Sequence, residues 1–149
     1  MPQNNKELLA ELVDYCSKIE SILERQPDLY YQWKEGGPNV SQITFHTAKA
    51  IHYWVGELVL EIPSHRNRNE EFNQFHSQEE ILASFQKCKD LFEDFYQSEI
   101  HLDKPIKILP ENNPSPGKTW NVLMAILHIT AHTAEHYGQL KFINITLQK

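Results

Sequence analysis

The stretch "LHITAHTAEHYGQL", residues Leu127–Leu140, places His128, His132 and His136 four residues apart. Apolar sequence borders it on both sides, with "WNVLMAIL" leading in and "LKFINI" leading out. Residues four apart in an α-helix lie on nearly the same face. The row therefore predicts one largely apolar helix that carries three imidazoles. Because burying polar rings without partners costs about 2–7 kcal/mol each, the pattern favours metal binding over a chance cluster.

Helix geometry limits which of these histidines can share an ion. A divalent ion about 2.0–2.1 Å from each nitrogen suits two imidazoles one turn apart. His128 and His136 are separated by two turns, about 12 Å along the axis. They cannot bind the same ion, so the residues leave two pairs open, His128 with His132 or His132 with His136.

A third imidazole is available from another predicted helix. His46 lies on an apolar stripe between Ile43 and Ala50. Three imidazoles around one ion would leave an open position for water or substrate, as in catalytic rather than structural sites. His52 is about 240° around the helix from His46 and is predicted to face elsewhere. The remaining histidines lie in or beside connections and are predicted at the surface: His65, His76 and His101.

Hydrophobic periodicity predicts an all-α chain with four helical segments and little that resembles a strand. A connection with four prolines, "LDKPIKILPENNPSPGK", precedes the fourth segment and predicts a loop with, at most, a short extended piece. Four such helices favour a four-helix bundle, one domain over residues 1–149. The pattern leaves up-down-up-down and crossover topologies open. The segments span about Asn5–Gln26, Val40–Glu61, Gln78–Ser98 and, after the proline-rich loop, the residues up to Leu147.

Short local signals mark where these segments begin and end. The sequence "GGPN" at Gly36–Asn39 predicts a turn before the second segment. The fourth segment is the most apolar, and we expect it to lie most centrally. Asparagine or serine followed three residues later by glutamine or glutamate matches the capping-box pattern. The predicted caps are Asn39 with Gln42, Ser77 with Glu80, and Thr119 or Ser115.

Charge and composition exclude several classes of function. Twenty acidic residues against fourteen basic ones give a formal net charge of -6, which argues against nucleic acid as the main partner. No run of about eighteen apolar residues is present to span a membrane. The N-terminus lacks the basic and apolar sections of a signal peptide. These observations predict a cytoplasmic protein without a membrane partner.

The two cysteines, Cys16 and Cys88, lie in separate predicted helices. In a cytoplasmic protein we expect two reduced thiols rather than a disulfide. Lys87 and Lys89 flank Cys88, but neither cysteine has surroundings typical of an activated nucleophile.

Three stretches together resemble a known family. His132–Leu140, where two histidines four apart are followed by Gly-Gln, is similar to the closing helix of the DinB-like (YfiT-like) four-helix metalloproteins. Val40–Leu58 resembles that family's second helix, with its histidine and downstream aromatic pair. Arg66–Phe72 is similar to a connection found in one branch. The resemblance covers nearly the whole chain in order and length.

The resemblance implies an up-up-down-down bundle with one divalent metal ion on His46, His132 and His136. It thereby favours His132 with His136 over the other pair. It also implies a homodimer and, as in some relatives, a transferase that activates a small thiol of the bacillithiol or mycothiol type. Imidazole donors favour zinc or nickel, with iron and manganese as alternatives.

Other functions fit the same residues. The chain is alternatively a non-catalytic metal- or ligand-binding stress-response bundle, a metal-dependent hydrolase, or a structural dimer whose histidines are incidental. An open coordination position beside a pocket would favour an enzyme. The side chains predicted to line such a pocket or to support the ligands are His128, Glu135, Tyr137 and Gln139.

Overall fold

Helices dominate the computed structural model, which describes residues 5–27 and 39–147. The one sheet among these residues is a two-stranded antiparallel ribbon, in which Pro105 pairs with Asn121 and Ile106 with Trp120. Of the predicted turn Gly36–Asn39, only Asn39 lies within the described residues. The elements are α1 (Asn5–Arg25), α2 (Val40–Ile51), a π-helix (His52–Val59), α3 (Arg68–Asn73), α4 (Gln78–Gln97), β1 (Pro105–Ile106), a 3-10 turn (Pro110–Asn112), β2 (Trp120–Asn121) and α5 (Val122–Leu147).

The helix ends follow the predicted caps in the first half of the chain. Asn39 and Gln42 form a reciprocal capping box at the start of α2. At the start of α4, the Ser77 side chain accepts from the Glu80 backbone N–H. The predicted cap of the last helix is wrong. Thr119 and Ser115 both precede β2, and the backbone N–H of Met124 donates to the side chain of Asn121 instead, at 2.9 Å.

The long helices pack in a closed order that brings the histidine-bearing segments together. α5 packs against α1 and α2, and α4 packs against the same two helices. Apolar side chains fill the space between them, as burial of such stripes requires. α2 and α5, which carry His46 and the histidine row, are therefore direct neighbours. Fully buried core residues include Leu9, Leu12, Phe85, Phe95, Ile126 and Ile129.

The last helix is less central than its composition predicts. Four of its large apolar side chains are between 36% and 63% exposed. α5 buries one face against α1 and α2 and leaves the other open within the described part of the chain. No described helix is long and apolar enough to cross a lipid bilayer. The exposed side chains are Leu123, Leu127, Phe142 and Ile145.

After Ile51 the second helix widens into a π-helix, where sequence periodicity predicts a continuous α-helix. The Leu60 N–H donates to the Val55 carbonyl five residues back, at 3.0 Å. Gly56 lets this segment approach α4, because a Cβ there would lie 3.2 Å from Leu91 Cδ1. π-turns inside helices occur frequently at functional sites.

The connection between Glu61 and Ser77 is folded rather than a solvated loop. His76, predicted at the surface, is 2% exposed. Its ring stacks on Phe45 with centroids 3.6 Å apart, and its Nε2–H donates to the Glu70 carbonyl at 2.7 Å. Ser41 Oγ donates to the His76 carbonyl at 2.8 Å. These contacts hold the segment, together with α3, against the beginning of α2.

His52, the first residue of the π-helix, does not join His46 in the histidine group, as predicted. It is 2% exposed, and its Nε2–H donates to the Ser84 carbonyl at 2.8 Å. Burial lowers the pKa of His52 from 6.5 to about 4, even though the bond to the Ser84 carbonyl favours protonation.

We expect His52 to make folding sensitive to acid. The unfolded chain binds this proton more tightly, so its contribution to stability is fully present above about pH 6.5 and is lost as pH falls toward 4. At pH 5 the loss should be about 2 kcal/mol. His52→Gln retains a donor for the carbonyl but no ionisable ring. With metal removed by a chelator, urea unfolding of His52→Gln should therefore lose less unfolding free energy between pH 7.5 and 5 than wild type does. The exposed control His101→Gln should behave like wild type; identical pH dependence in both variants would refute the assignment.

Candidate metal centre

Three histidines predicted from the sequence converge between α2 and α5. His46 Nε2 lies 3.3 Å from His132 Nε2, and His136 Nε2 lies 3.2 Å from the same atom. The three ligand atoms all lie within 4.8 Å of one another. The helix geometry left two pairs open, and the structure joins His132 with His136, one turn along α5, to His46.

Hydrogen bonds at the far side of two rings determine which nitrogen faces the centre. The Nδ1 of His46 lies 2.7 Å from Glu71 Oε1, and the Nδ1 of His136 lies 2.8 Å from Gln139 Oε1. An ionised carboxylate and an amide oxygen only accept hydrogen bonds. Each Nδ1 therefore carries the hydrogen, and each Nε2 presents its lone pair to the shared point, the form that a metal requires.

The buried carboxylate behind His46 was not predicted. Glu71, in α3, is 1% exposed. Arg66 donates to both of its oxygens, from Nε to Oε2 at 2.8 Å and from Nη2 to Oε1 at 3.0 Å. Burial opposes ionisation of Glu71, but hydrogen bonds from His46 and Arg66 outweigh it and lower its pKa to about 2. The group is a carboxylate at neutral pH.

The environment also keeps imidazoles of the row neutral. Burial, followed by the charges of His136 and His46, lowers the pKa of His132 from 6.5 to about 3. Burial likewise lowers the pKa of His136. A neutral imidazole binds a cation without first releasing a proton. The Nδ1 of His132 is buried and has no hydrogen-bond partner among the described residues.

His128 does not join the three-histidine group. Its ring packs 4.3 Å from Trp54 and 5.6 Å from Trp120, between centroids. The His128 and His132 ring centroids are 6.3 Å apart. Burial lowers the pKa of His128. The imidazole of the row that does not join the group thus packs against two indoles.

The other predicted pocket groups separate in the structure. Gln139 supports His136, as described above, whereas Glu135 is exposed. The Tyr137 ring packs against Tyr15 of α1, with centroids 5.6 Å apart. Only one of these three side chains therefore contacts the histidine group within the described part of the chain.

Neither cysteine is placed to act as a nucleophile. Cys16 and Cys88 are free and buried. Burial raises the pKa of both thiols. For Cys88, desolvation outweighs any effect of the lysines that flank it in sequence. Catalysis at this centre would require a nucleophile from outside the chain.

A cavity of about 420 Å³ is lined by residues of the π-helix and of the segment around β1, and by none of the three histidines. Tyr53, Glu57, Lys104 and Ile106 are among the residues that line it. The Arg66 guanidinium, which holds Glu71, lies 5.7 Å from the centre of the Tyr53 ring. The cavity is within the size range of small-molecule sites.

The donor set suits a divalent metal ion. Three imidazole nitrogens converge, and within residues 5–27 and 39–147 no carboxylate or thiol joins the group as a fourth ligand. Imidazole binds zinc, nickel, copper and iron.

The family model described as "DinB family" matches residues 1–143. Comparison with curated proteins gives no significant match, and neither does comparison with solved structures.

Proposed function

The chain belongs to the DinB family, and we propose that it binds one divalent metal ion through His46, His132 and His136. The observation that carries the proposal is the convergence of three Nε2 atoms, one on a buried and two on half-buried side chains. Zinc or nickel is the proposed ion, because imidazole nitrogens suit both. The proposed scaffold is a four-helix bundle of up-up-down-down topology, in keeping with the packing of α4 and α5 on both α1 and α2.

We further propose that the protein is a transferase that activates a small thiol for attack on an electrophile. Three histidine ligands leave a fourth position for an outside group. When bound, the ion supplies positive charge that lowers the pKa of a thiol at that position. The buried cysteines cannot take this role. The cavity beside Tyr53 has the volume for a small-molecule partner, although none of the three histidines lines it.

The chain's own residues would prepare the centre rather than exchange protons with the substrate. His46 and His136 present fixed lone pairs, held by Glu71 and Gln139. In the proposed reaction the thiolate sulphur forms a bond to carbon, the halide or epoxide oxygen departs with the electron pair, and the thiol proton passes to solvent.

The test is conjugation by the metal-loaded protein. Zinc- or nickel-loaded chain is incubated with bacillithiol, mycothiol, glutathione or cysteine and an alkyl halide or epoxide. Product should form faster than with the chelated protein or with His132→Ala, while the exposed control His101→Ala should match wild type. Loss of the acceptor to water without consumption of thiol would favour a hydrolase. No turnover, with a fourth protein ligand on the ion, would leave a sequestering bundle as the better explanation.

The homodimer implied by the resemblance remains a prediction. The exposed apolar side chains of α5 are the surface that a second copy would cover. Sedimentation equilibrium of the purified chain would measure its mass directly.

A further inference from the structure

We propose that Glu71 is a positioning residue that locks His46 in the tautomer and orientation needed for metal binding, with Arg66 holding Glu71 in place. The inference rests on the proposed metal site, which it deepens by naming the side chains that preset a ligand. It concerns a part of the chain that looks like a polar connection in the sequence.

The direction of the hydrogen bond between His46 and Glu71 selects the tautomer of His46. A neutral imidazole carries its hydrogen on either Nδ1 or Nε2, and the two tautomers differ little in water. The Nδ1 of His46 lies 2.7 Å from Glu71 Oε1, an oxygen that already accepts from Arg66, so Nδ1 is the donor in this hydrogen bond. Its Nε2 is then an acceptor that points toward the other two histidines.

The carboxylate of Glu71 is rigidly held. Arg66 grips both oxygens of Glu71, and these two side chains are 11% and 1% exposed. A planar guanidinium that donates to both oxygens of a carboxylate fixes their plane as well as their distance. Glu71 therefore cannot rotate away from His46 without breaking buried, charge-assisted hydrogen bonds.

The short helix α3 delivers Glu71 to this position. α3 begins after Asn67, whose side chain accepts from the Asn69 N–H at 3.1 Å. The Gln42 side chain donates to the Phe72 carbonyl, and the Phe72 ring packs 4.8 Å from the His46 ring. The turn that bears Glu71 is thus attached to α2 through Phe72, the next residue.

The hydrogen bond between His136 and Gln139 provides an internal comparison. Gln139 likewise accepts a hydrogen bond from the Nδ1 of His136, but its acceptor is a neutral amide oxygen on an exposed side chain. Hydrogen bonds to a charged acceptor are about twice as strong as neutral ones. Loss of Glu71 should therefore weaken metal binding more than loss of Gln139.

The test compares Glu71→Gln with Glu70→Gln. Glu70 is the adjacent residue, is exposed, and contributes its backbone carbonyl rather than its side chain to the fold. In Glu71→Gln one of the two terminal groups is an NH₂ donor that opposes either Arg66 or His46, so Arg66 no longer fixes an acceptor against His46. Zinc affinity, measured at pH 7.5 by competition with a chromogenic chelator, should fall about 10–100-fold in Glu71→Gln. Glu70→Gln should match wild type, and Gln139→Ala should lie between them.

A second readout does not depend on metal. Long-range ¹H–¹⁵N spectra of the chelated protein at pH 8 report the tautomer of each imidazole. His46 should carry its hydrogen on Nδ1 in wild type and Glu70→Gln, and should shift toward the Nε2–H form in Glu71→Gln. Thermal unfolding by circular dichroism checks that the variants are folded.

The outcomes separate this inference from the proposed function. If wild type binds neither zinc nor nickel, the metal site is refuted while the tautomer spectra still decide the role of Glu71. If wild type binds zinc and Glu71→Gln binds it equally tightly, the positioning role is overturned. An Nε2–H tautomer for His46 in the wild-type spectra would overturn it as well, even if Glu71→Gln failed to fold.

Discussion

His132→Ala should remove nearly all bound metal from the chain. His132 is the central member of the group, since its Nε2 lies within 3.3 Å of both other ligand atoms. The two that remain would form a bidentate site with no third imidazole. Loss of a supporting partner alone costs about 10–100-fold in affinity, and loss of a ligand should exceed that range. Elemental analysis after dialysis should fall from one zinc ion per chain to almost none.

Matched variants show whether the loss is specific. His46→Ala and His136→Ala should give the same result as His132→Ala. His101→Ala, at an exposed position, should retain one ion per chain. His128→Ala decides between the two pairs left open by helix geometry: if it abolishes binding while His136→Ala does not, the ligands are wrongly assigned.

The part of the centre that could be predicted lies on regular helices. His46, His132 and His136 stand on apolar stripes, where a polar ring contradicts the burial that periodicity predicts. A polar residue on a face that is predicted to be buried can be recognised from the sequence alone. Spacing alone did not choose between the two α5 pairs, because both pairs are one turn apart; the family resemblance and then the packing of α2 on α5 favoured His136.

The part that could not be predicted lies on the irregular connection. Glu71 and His76 are buried, yet they occur among polar residues without a helical or strand period, so nothing distinguishes them from solvated neighbours such as Glu70. Their burial comes from the folding of α3 back over α2, a tertiary contact. The same limit applies to Asn121, which caps α5 because the β1–β2 ribbon positions it there. Local sequence patterns favoured Thr119 or Ser115 as the cap, because such patterns carry no information about the pairing of β1 with β2.

Arg66→Met should destabilise the chelated protein by about 3 kcal/mol. The substitution keeps most of the side-chain volume but leaves the carboxylate of Glu71, at 1% exposure, without its guanidinium. Removing one partner of a buried ion pair typically costs about 3–5 kcal/mol. The remaining bond from His46 Nδ1 offsets part of this loss, which places the expectation at the lower end. Urea unfolding at pH 7.5 measures the change.

A double variant identifies the buried charge as the cause. Adding Glu71→Gln to Arg66→Met removes the charge while leaving an amide oxygen that can accept from His46, so the double variant should be more stable than Arg66→Met alone. The control is Lys104→Met, which breaks an ion pair with Glu61 in which both side chains are exposed and should cost no more than about 1 kcal/mol. If Arg66→Met is as mild as Lys104→Met, Glu71 is not held as an ionised carboxylate by Arg66. The hydrogen bond to His46 would then lack the fixed acceptor on which the proposed preset ligand depends.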